Sequence, residues 1–259
     1  MTTKFGLLGH PLGHSFSKKF HNERFMRLGI DAVYENYDLA DINDLVEILQ
    51  TQEDLKGLNV TIPYKQDVMQ FLDELDPIAE KIGAVNVVKI KHLDKSDSLF
   101  DKTKIKGLFL KGFNSDIIGF TDSIKPMLDE SHIKALILGT GGASKAIKVA
   151  LETMNIETAY VSRSAAPGRF TYEDLNEEIL KEYTVIVNCS PVGMYPKVDQ
   201  CPAIPYHFLT SAHVCFDTVY NPEVTLFMKR AQEYGADVKC GYEMLVGQAI
   251  ASYDIWTAQ

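Results

Sequence analysis

Apolar positions recur along this chain with two different rhythms. In the first half they come in short, varied segments. A run over residues 5–8, broken by Gly9 and Pro11, predicts a strand. A helix is predicted over 17–28, with Gly29 as its stop. A second strand is expected over 34–39 and a helix over 41–49, whose Ile42, Leu45, Val46 and Leu49 share one face. The run GLNVTIP predicts a strand ending at Pro63. Tyr64, Val68, Phe71, Leu72 and Leu75 then mark an amphipathic helix. Further strands are expected over 84–90 and 108–113, with the polar stretch 91–106 as a hairpin extension or a mobile loop.

From Ala135 onward the rhythm becomes regular. Apolar strands over 135–138, 158–161, 184–187 and 214–217 alternate with helical stretches. Such near-continuous apolar strands between helices indicate a parallel sheet covered on both faces. Leu245, Ala249, Tyr253 and Trp256 fall at helical spacing and predict a last helix over 245–257 that returns to the first half. The fold class is therefore α/β, in two α/β domains. The first is expected over 1–120 plus about 240–259, the second over 121–239.

Composition narrows the partners. The 259 residues carry a formal net charge of −9, which argues against nucleic acid or an anionic membrane surface as partner. No apolar run reaches about 18 residues and no signal core opens the chain, so a cytoplasmic setting is expected. Cys189, Cys201, Cys215 and Cys240 form no C-x-x-C pair and read as free thiols filling the interior. His10, His14 and His21 have no accompanying cysteine or acidic ligand pattern, so no metal is expected; His14 reads as a pocket-wall or cap residue. The acids over 173–182 read as a solvated helix face.

The sequence ALILGTGGASKAIKVA runs from a strand through Gly139, Thr140, Gly141, Gly142 and Ala143 into a helix. Dinucleotide binding needs this context, because glycines let the backbone approach a pyrophosphate and the first helical N–H groups meet its charge. Ser144 stands where the usual third glycine would be. The next strand ends in Ser162, Arg163 and Ser164, with Arg163 about 24 residues past Gly139. An acid there would bind the ribose hydroxyls of NAD. A guanidinium flanked by hydroxyls suits the 2′-phosphate of NADP.

A second group of residues suggests proton chemistry. Asn59 and Thr61 share a strand face, and Lys65 follows at the expected start of a helix. The field at a helix N-terminus disfavours an ammonium charge, which suits such a lysine to proton transfer. Asp116 sits between a strand and a helix, either as an orienting carboxylate or as an ordinary helix cap.

Taken in order, GHPLGHSFS, GLNVTIPYK, GAVN, GFNSD, GTGGASKA, the run Ser162-Arg163-Ser164, NCSPVGM, DTVYNP and GYEMLVGQA resemble the shikimate dehydrogenase family over nearly the whole chain. The resemblance implies a substrate and catalytic domain followed by a Rossmann-type NADP-binding domain. It implies reversible NADPH-dependent reduction of 3-dehydroshikimate to shikimate, by a monomer or homodimer. Lys65 and Asp116 would be the catalytic pair. Ser15, Ser17, Thr61, Asn86, Asp116, Tyr220 and Gln248 would hold substrate, with Asn59 shaping the pocket. Gly139 to Ala143, Ser162, Arg163, Ser164, Thr218 and Gly241 would line the cofactor site. The chain departs from the family pattern at Lys18, Val87, Ser115, Ile117 and Cys189, and Pro167 stands where a second basic residue is usual, with Arg169 two positions on. Two other readings stay open: a quinate or mixed quinate/shikimate dehydrogenase, and a non-catalytic NADP(H)-binding sensor.

Overall fold

A computed structural model describes residues 2–13 and 15–258; the reading made for His14 lies outside the described residues. The chain divides into two compact units, Met1–Ser115 with Ala249–Gln259, and Asp116–Gln248. The first division falls earlier than the expected residue 120. The second falls inside the last helix instead of near residue 240.

The first unit contains β1 (Thr3–Gly9), α1 (Phe16–Leu28), β2 (Ala32–Asp38), α2 (Leu45–Thr51), β3 (Leu55–Val60), β4 (Glu74–Leu75), α3 (Pro77–Ile82), β5 (Val87–His92) and β6 (Leu108–Phe113). Its sheet runs in the order β2-β1-β3-β5-β6-β4. The pairs β1/β2, β1/β3 and β4/β6 are parallel, whereas β5 runs antiparallel to both β3 and β6. Ser15 caps α1 by accepting the Lys18 N–H at 3.2 Å, and Gly29 closes the helix in the left-handed conformation. Of the stretch 91–106, residues 91 and 92 extend the hairpin, and the rest is a turn-rich connection. β5 and β6 pair from Val87↔Phe113 to His92↔Leu108, and Leu93 and Ile105 are buried at the base of the connection.

The helix expected from Tyr64 to Leu75 does not form. Asp67–Phe71 makes one 3-10 segment, and the chain then straightens into β4. The reason lies in the neighbouring hairpin. The Asp73 N–H donates to the Leu110 carbonyl at 2.8 Å, and its carboxylate accepts the Leu110 N–H at 2.8 Å and the Lys104 N–H at 2.7 Å. The Asp76 N–H donates to Gly112 at 2.8 Å. Backbone groups that a helix would pair internally are thus used on the sheet edge. Tyr64, Val68 and Leu72 are buried all the same, which explains why their spacing imitated a helix.

The last turns of α8 (Tyr242–Thr257) complete this unit's core. Trp256 stacks on Phe5 with centroids 4.7 Å apart and donates its indole N–H to the Val88 carbonyl at 3.1 Å. A side chain at Gly57 would come within 2.3 Å of the Trp256 ring, so only glycine admits this packing. Nearby, His21 is fully buried, stacked on Tyr34 at 4.5 Å, and neither ring nitrogen finds a hydrogen-bond partner among the described residues. Burial, with the Arg24 charge beside it, pushes its pKa down to about 3. A base whose folded pKa lies below its unfolded value stabilises the fold above pH 6.5, and that stabilisation is lost as the pH falls towards about 3. His21→Phe keeps a ring in the stack and removes the titration. Between pH 7 and 4.5 the wild-type chain should lose about 3 kcal/mol more than this variant, read from urea unfolding at both pH values. Equal losses would show that His21 does not govern acid stability.

The second unit follows the regular rhythm: α4 (Asp116–Ile124), β7 (Lys134–Leu138), α5 (Gly142–Thr153), β8 (Glu157–Ser162), β9 (Arg169–Thr171), α6 (Glu177–Glu182), β10 (Val185–Asn188), β11 (Val214–Asp217), α7 (Leu226–Glu233), β12 (Asp237–Cys240) and the start of α8. All strands pair parallel, in the order β12-β11-β10-β7-β8-β9. The chain moves outward from β7 through β8 to β9, then returns to β10 on the other side of β7. The carboxyl ends of β7 and β10 therefore form a topological switch point, where open α/β sheets bind ligands. A parallel neighbour normally needs a crossover of about a dozen residues or more, but only residues 163–168 join β8 to β9. No helix of the described residues is long and apolar enough to cross a membrane.

Candidate active site

A cavity of about 520 Å³ opens at that switch point. Three turns form its walls: Gly139 to Gly141 after β7, Ser162 to Ser164 after β8, and Cys189 to Val192 after β10. Gly139 has φ 107°, a conformation that side chains rarely adopt, and lies against the Cys189–Ser190 peptide. A Cβ at Gly141 would meet nothing within 4 Å, so the turn presents bare backbone to open space. Gly141 is also the N-cap of α5, so the first N–H groups of a long helix lie directly behind it. The Ser144 hydroxyl, at the position of the usual third glycine, donates to the Gly141 carbonyl at 2.6 Å. These features fit a pyrophosphate: close backbone approach, unpaired helical donors and no side chain in the way.

Of the predicted cofactor residues, Gly139, Thr140, Gly141, Ser162, Arg163 and Ser164 line the cavity. Gly142 and Ala143 open α5 behind them. Thr218 and Gly241 do not line it. They pack on each other at the ends of β11 and β12, where a Cβ on Gly241 would fall 2.4 Å from the Thr218 carbonyl oxygen. Sequence reasoning missed Arg169 and Tyr172 as lining residues. β9 brings them in, and the pairing Tyr160↔Arg169 has no signal in the sequence. The cavity is thus lined by two arginines and by no Asp or Glu among the described residues. Burial pushes the Cys189 thiol up, with the Asp217 charge adding to it, so this wall is a neutral sulfur.

Asp217 organises the loops behind the cavity. Its carboxylate accepts from Thr225 Oγ1 at 2.6 Å, Asn188 Nδ2 at 2.9 Å and the Val219 N–H at 3.0 Å. Asn188 in turn accepts the Ser190 hydroxyl at 2.6 Å and the Ser190 N–H at 3.0 Å. Burial pushes the Asp217 pKa up to about 6 against the opposing pull of these bonds.

The predicted substrate residues divide between the units. Ser15, Ser17, Asn59, Thr61, Lys65 and Asn86 belong to the first, whereas Asp116, Tyr220 and Gln248 belong to the second. Within the first unit they are held firmly. The Thr61 N–H donates to Leu8 at 2.9 Å, the Tyr64 N–H to Thr61 at 2.9 Å, and the Val85 N–H to the Lys65 carbonyl at 2.7 Å. Lys65 sits in a turn before a 3-10 segment, so the field of an α-helix start is not available to it. Ser15 Oγ accepts at the cap of α1, which turns its hydroxyl proton away from the helix. Asn86 Oδ1 accepts the Ser115 N–H at 2.7 Å, fixing the residue that precedes Asp116 in the chain. Asn59 is 5% exposed, and its side chain is bonded on both sides within the protein, to Tyr34, Ser252 and the Asn86 carbonyl. Its polar atoms are thus used inside the protein. In the second unit, Asp116 is the first residue of α4, and Gln248 donates to the Leu245 carbonyl at 2.9 Å along α8. Among the described residues, no group of three or more His, Cys, Asp or Glu is arranged to hold a metal ion.

Residues 7–88 match the shikimate dehydrogenase substrate binding domain. The chain is 36% identical to a shikimate dehydrogenase (NADP(+)) of Caldanaerobacter subterraneus, over all of this chain and 93% of that protein. The crystal structure of shikimate 5-dehydrogenase from Thermus thermophilus in complex with NADP(H) and shikimate is similar with a TM-score of 0.81 and 28% identity, over 99% of this chain and 94% of that one. A quinate dehydrogenase from Corynebacterium glutamicum in complex with NAD is similar with a TM-score of 0.83 and 26% identity, over 100% and 94%.

Proposed function

The chain belongs to the shikimate dehydrogenase family, and on that premise we propose how its own residues carry out the family reaction. It is an NADP-dependent oxidoreductase that interconverts 3-dehydroshikimate and shikimate, a step of the shikimate pathway. The first unit is the substrate and catalytic domain; the second is the NADP-binding domain. A cytoplasmic monomer or homodimer completes the reading.

One observation carries the cofactor assignment: the switch-point cavity has Arg163 and Arg169 on its wall and no carboxylate among the described residues. A 2′-phosphate gains charge-assisted bonds there, and an acid that would select NAD is missing from the lining. Bound NADP supplies the hydride acceptor at its nicotinamide. The remaining work belongs to the protein. Gly139 to Ala143 hold the pyrophosphate against the start of α5, and Ser162, Arg163 and Ser164 hold the adenosine phosphate. Thr218 and Gly241 support the loops on the nicotinamide side. Ser15 and Ser17 hold the substrate carboxylate at the N-terminus of α1. Thr61, Asn86, Tyr220 and Gln248 bond the ring hydroxyls, with Asn59 behind them. Lys65 takes the hydroxyl proton when shikimate is oxidised and returns it in the reverse reaction, and Asp116 orients the amine.

The quinate reading shares this chemistry and is favoured by the likeness to the Corynebacterium structure. Initial rates of NADPH formation from shikimate and NADP, beside matched assays with quinate and with NAD, separate the two. Preference for shikimate with NADP is expected. Preference for quinate or NAD would overturn the specificity. Folded protein that binds NADPH without turning over any of these substrates would be a sensor instead.

A further inference from the structure

One buried side chain spans the turn that follows β10. Asn188 is the last residue of that strand and is fully buried. Its amide oxygen accepts the Ser190 N–H at 3.0 Å and the Ser190 hydroxyl at 2.6 Å. Its amide nitrogen donates to the Val192 carbonyl at 3.4 Å and to the Asp217 carboxylate at 2.9 Å. Two partners set the direction of this amide. A backbone N–H can only donate, so Ser190 requires the oxygen on its side. An ionised carboxylate can only accept, so Asp217 requires the nitrogen on the other. A flipped amide would set oxygen against carboxylate and N–H against N–H, with no water to relieve either.

That direction decides what Ser190 offers to the cavity it lines. The hydroxyl has one proton, and Asn188 takes it. The Val192 N–H reaches the same oxygen at a long 3.4 Å, which leaves a second lone pair. Ser190 therefore meets a ligand as an acceptor. Neither Asn188 nor Asp217 lines the cavity, so both reach a ligand only through the turn they hold. We propose that Asp217 and Asn188 are positioning residues for cofactor binding: the carboxylate sets the flip of the amide, and the amide holds Ser190 as acceptor for a donor that NADP and NAD share. The proposal rests on the reading of this cavity as the cofactor site. It separates two tasks on one wall. The arginines meet the phosphate that NADP alone carries, whereas Ser190 serves both cofactors alike.

Dissociation constants for NADPH and NADH, from fluorescence titration at pH 8, test this; Asp217, with a pKa of about 6, is ionised there. Asn188→Asp sets two carboxylates face to face and should weaken both cofactors equally, by about tenfold. Adding Asp217→Asn returns a donor to the pair and should bring both constants to within about threefold of wild type. The swap gives up the Val219 N–H bond to Asp217, so recovery is partial. No recovery, or weakening of NADPH alone, would overturn the proposal. Ser190→Ala leaves the buried pair intact, and it decides the matter if Asn188→Asp does not fold. It should raise both constants about fivefold, and unchanged constants would remove Ser190 as acceptor. In both single variants the KM for shikimate should stay within about twofold. A rise as large as that for the cofactors would place the effect at Val219 and the neighbouring Tyr220 instead. Wild-type protein that does not bind NADPH would fail the reading of the cavity itself, before any variant is made.

Discussion

Lys65→Ala should lower kcat for shikimate oxidation by about a thousandfold, while the KM for shikimate moves by less than about tenfold and the KM for NADP stays put. Hydride transfer from the substrate carbon leaves a carbonyl only if the hydroxyl proton departs. Water can take that proton, but a positioned amine does so within the same encounter, and such general catalysis contributes about a hundred- to ten-thousandfold. The local structure makes the experiment clean. The backbone around Lys65 is fixed by bonds that do not involve its side chain: Val85 N–H to the Lys65 carbonyl at 2.7 Å, Tyr64 N–H to Thr61 at 2.9 Å, and the Tyr64 hydroxyl to Leu39 at 2.6 Å. Truncation at Cβ leaves all three in place, so the variant should fold, and a urea midpoint measured beside the rate separates lost proton transfer from lost stability. Turnover near the wild-type rate with unchanged shikimate affinity would remove Lys65 from the proton path.

Arg163→Ala should raise the KM for NADP by about ten- to a hundredfold and leave the KM for NAD within about twofold. The 2′-phosphate distinguishes the two cofactors, and bonds between it and a guanidinium are charge-assisted. Arg169 on β9 lines the same cavity, so discrimination should shrink without vanishing in the single variant. Stopped-flow or steady-state titration of both cofactors at fixed shikimate reads the difference. Equal losses for NADP and NAD would mean that Arg163 supports the shape of the loop and does not read the phosphate.

These experiments draw on information of two kinds. Period and punctuation determined much of the architecture. Gly29 and the apolar spacing before it located α1 to within a residue, and the continuous apolar runs over 135–138 and 214–217 located β7 and β11. The cofactor turn was legible for the same reason. Its chemistry is local: strand, glycines and helix start are consecutive in the chain, and Arg163 directly follows the next strand. Glycine at a left-handed position and backbone N–H groups at a helix start need no distant partner to act.

Elsewhere the deciding partners are distant in the chain, and the sequence had no means to name them. Tyr64 to Leu75 kept a helical spacing of apolar residues, yet Asp73 and Asp76 bond to the β6 strand and draw that segment to the sheet edge. Arg169 looked out of register because a count along the loop assumes a usual connection; β9 folds back beside β8 and turns it into the cavity. Asn59 is given a pocket role by the resemblance, and the structure adds what the chain could not name: its amide is buried and bonded to Tyr34 and Ser252. His21, weighed in sequence only as a metal ligand and set aside, becomes an unpaired buried imidazole only when β2 and α8 close over it. Sequence alone determined what each short segment prefers to be, because periodicity, capping and turn chemistry act over a few residues. Tertiary structure decided which polar groups meet, because hydrogen bonds and burial join residues that the chain keeps far apart.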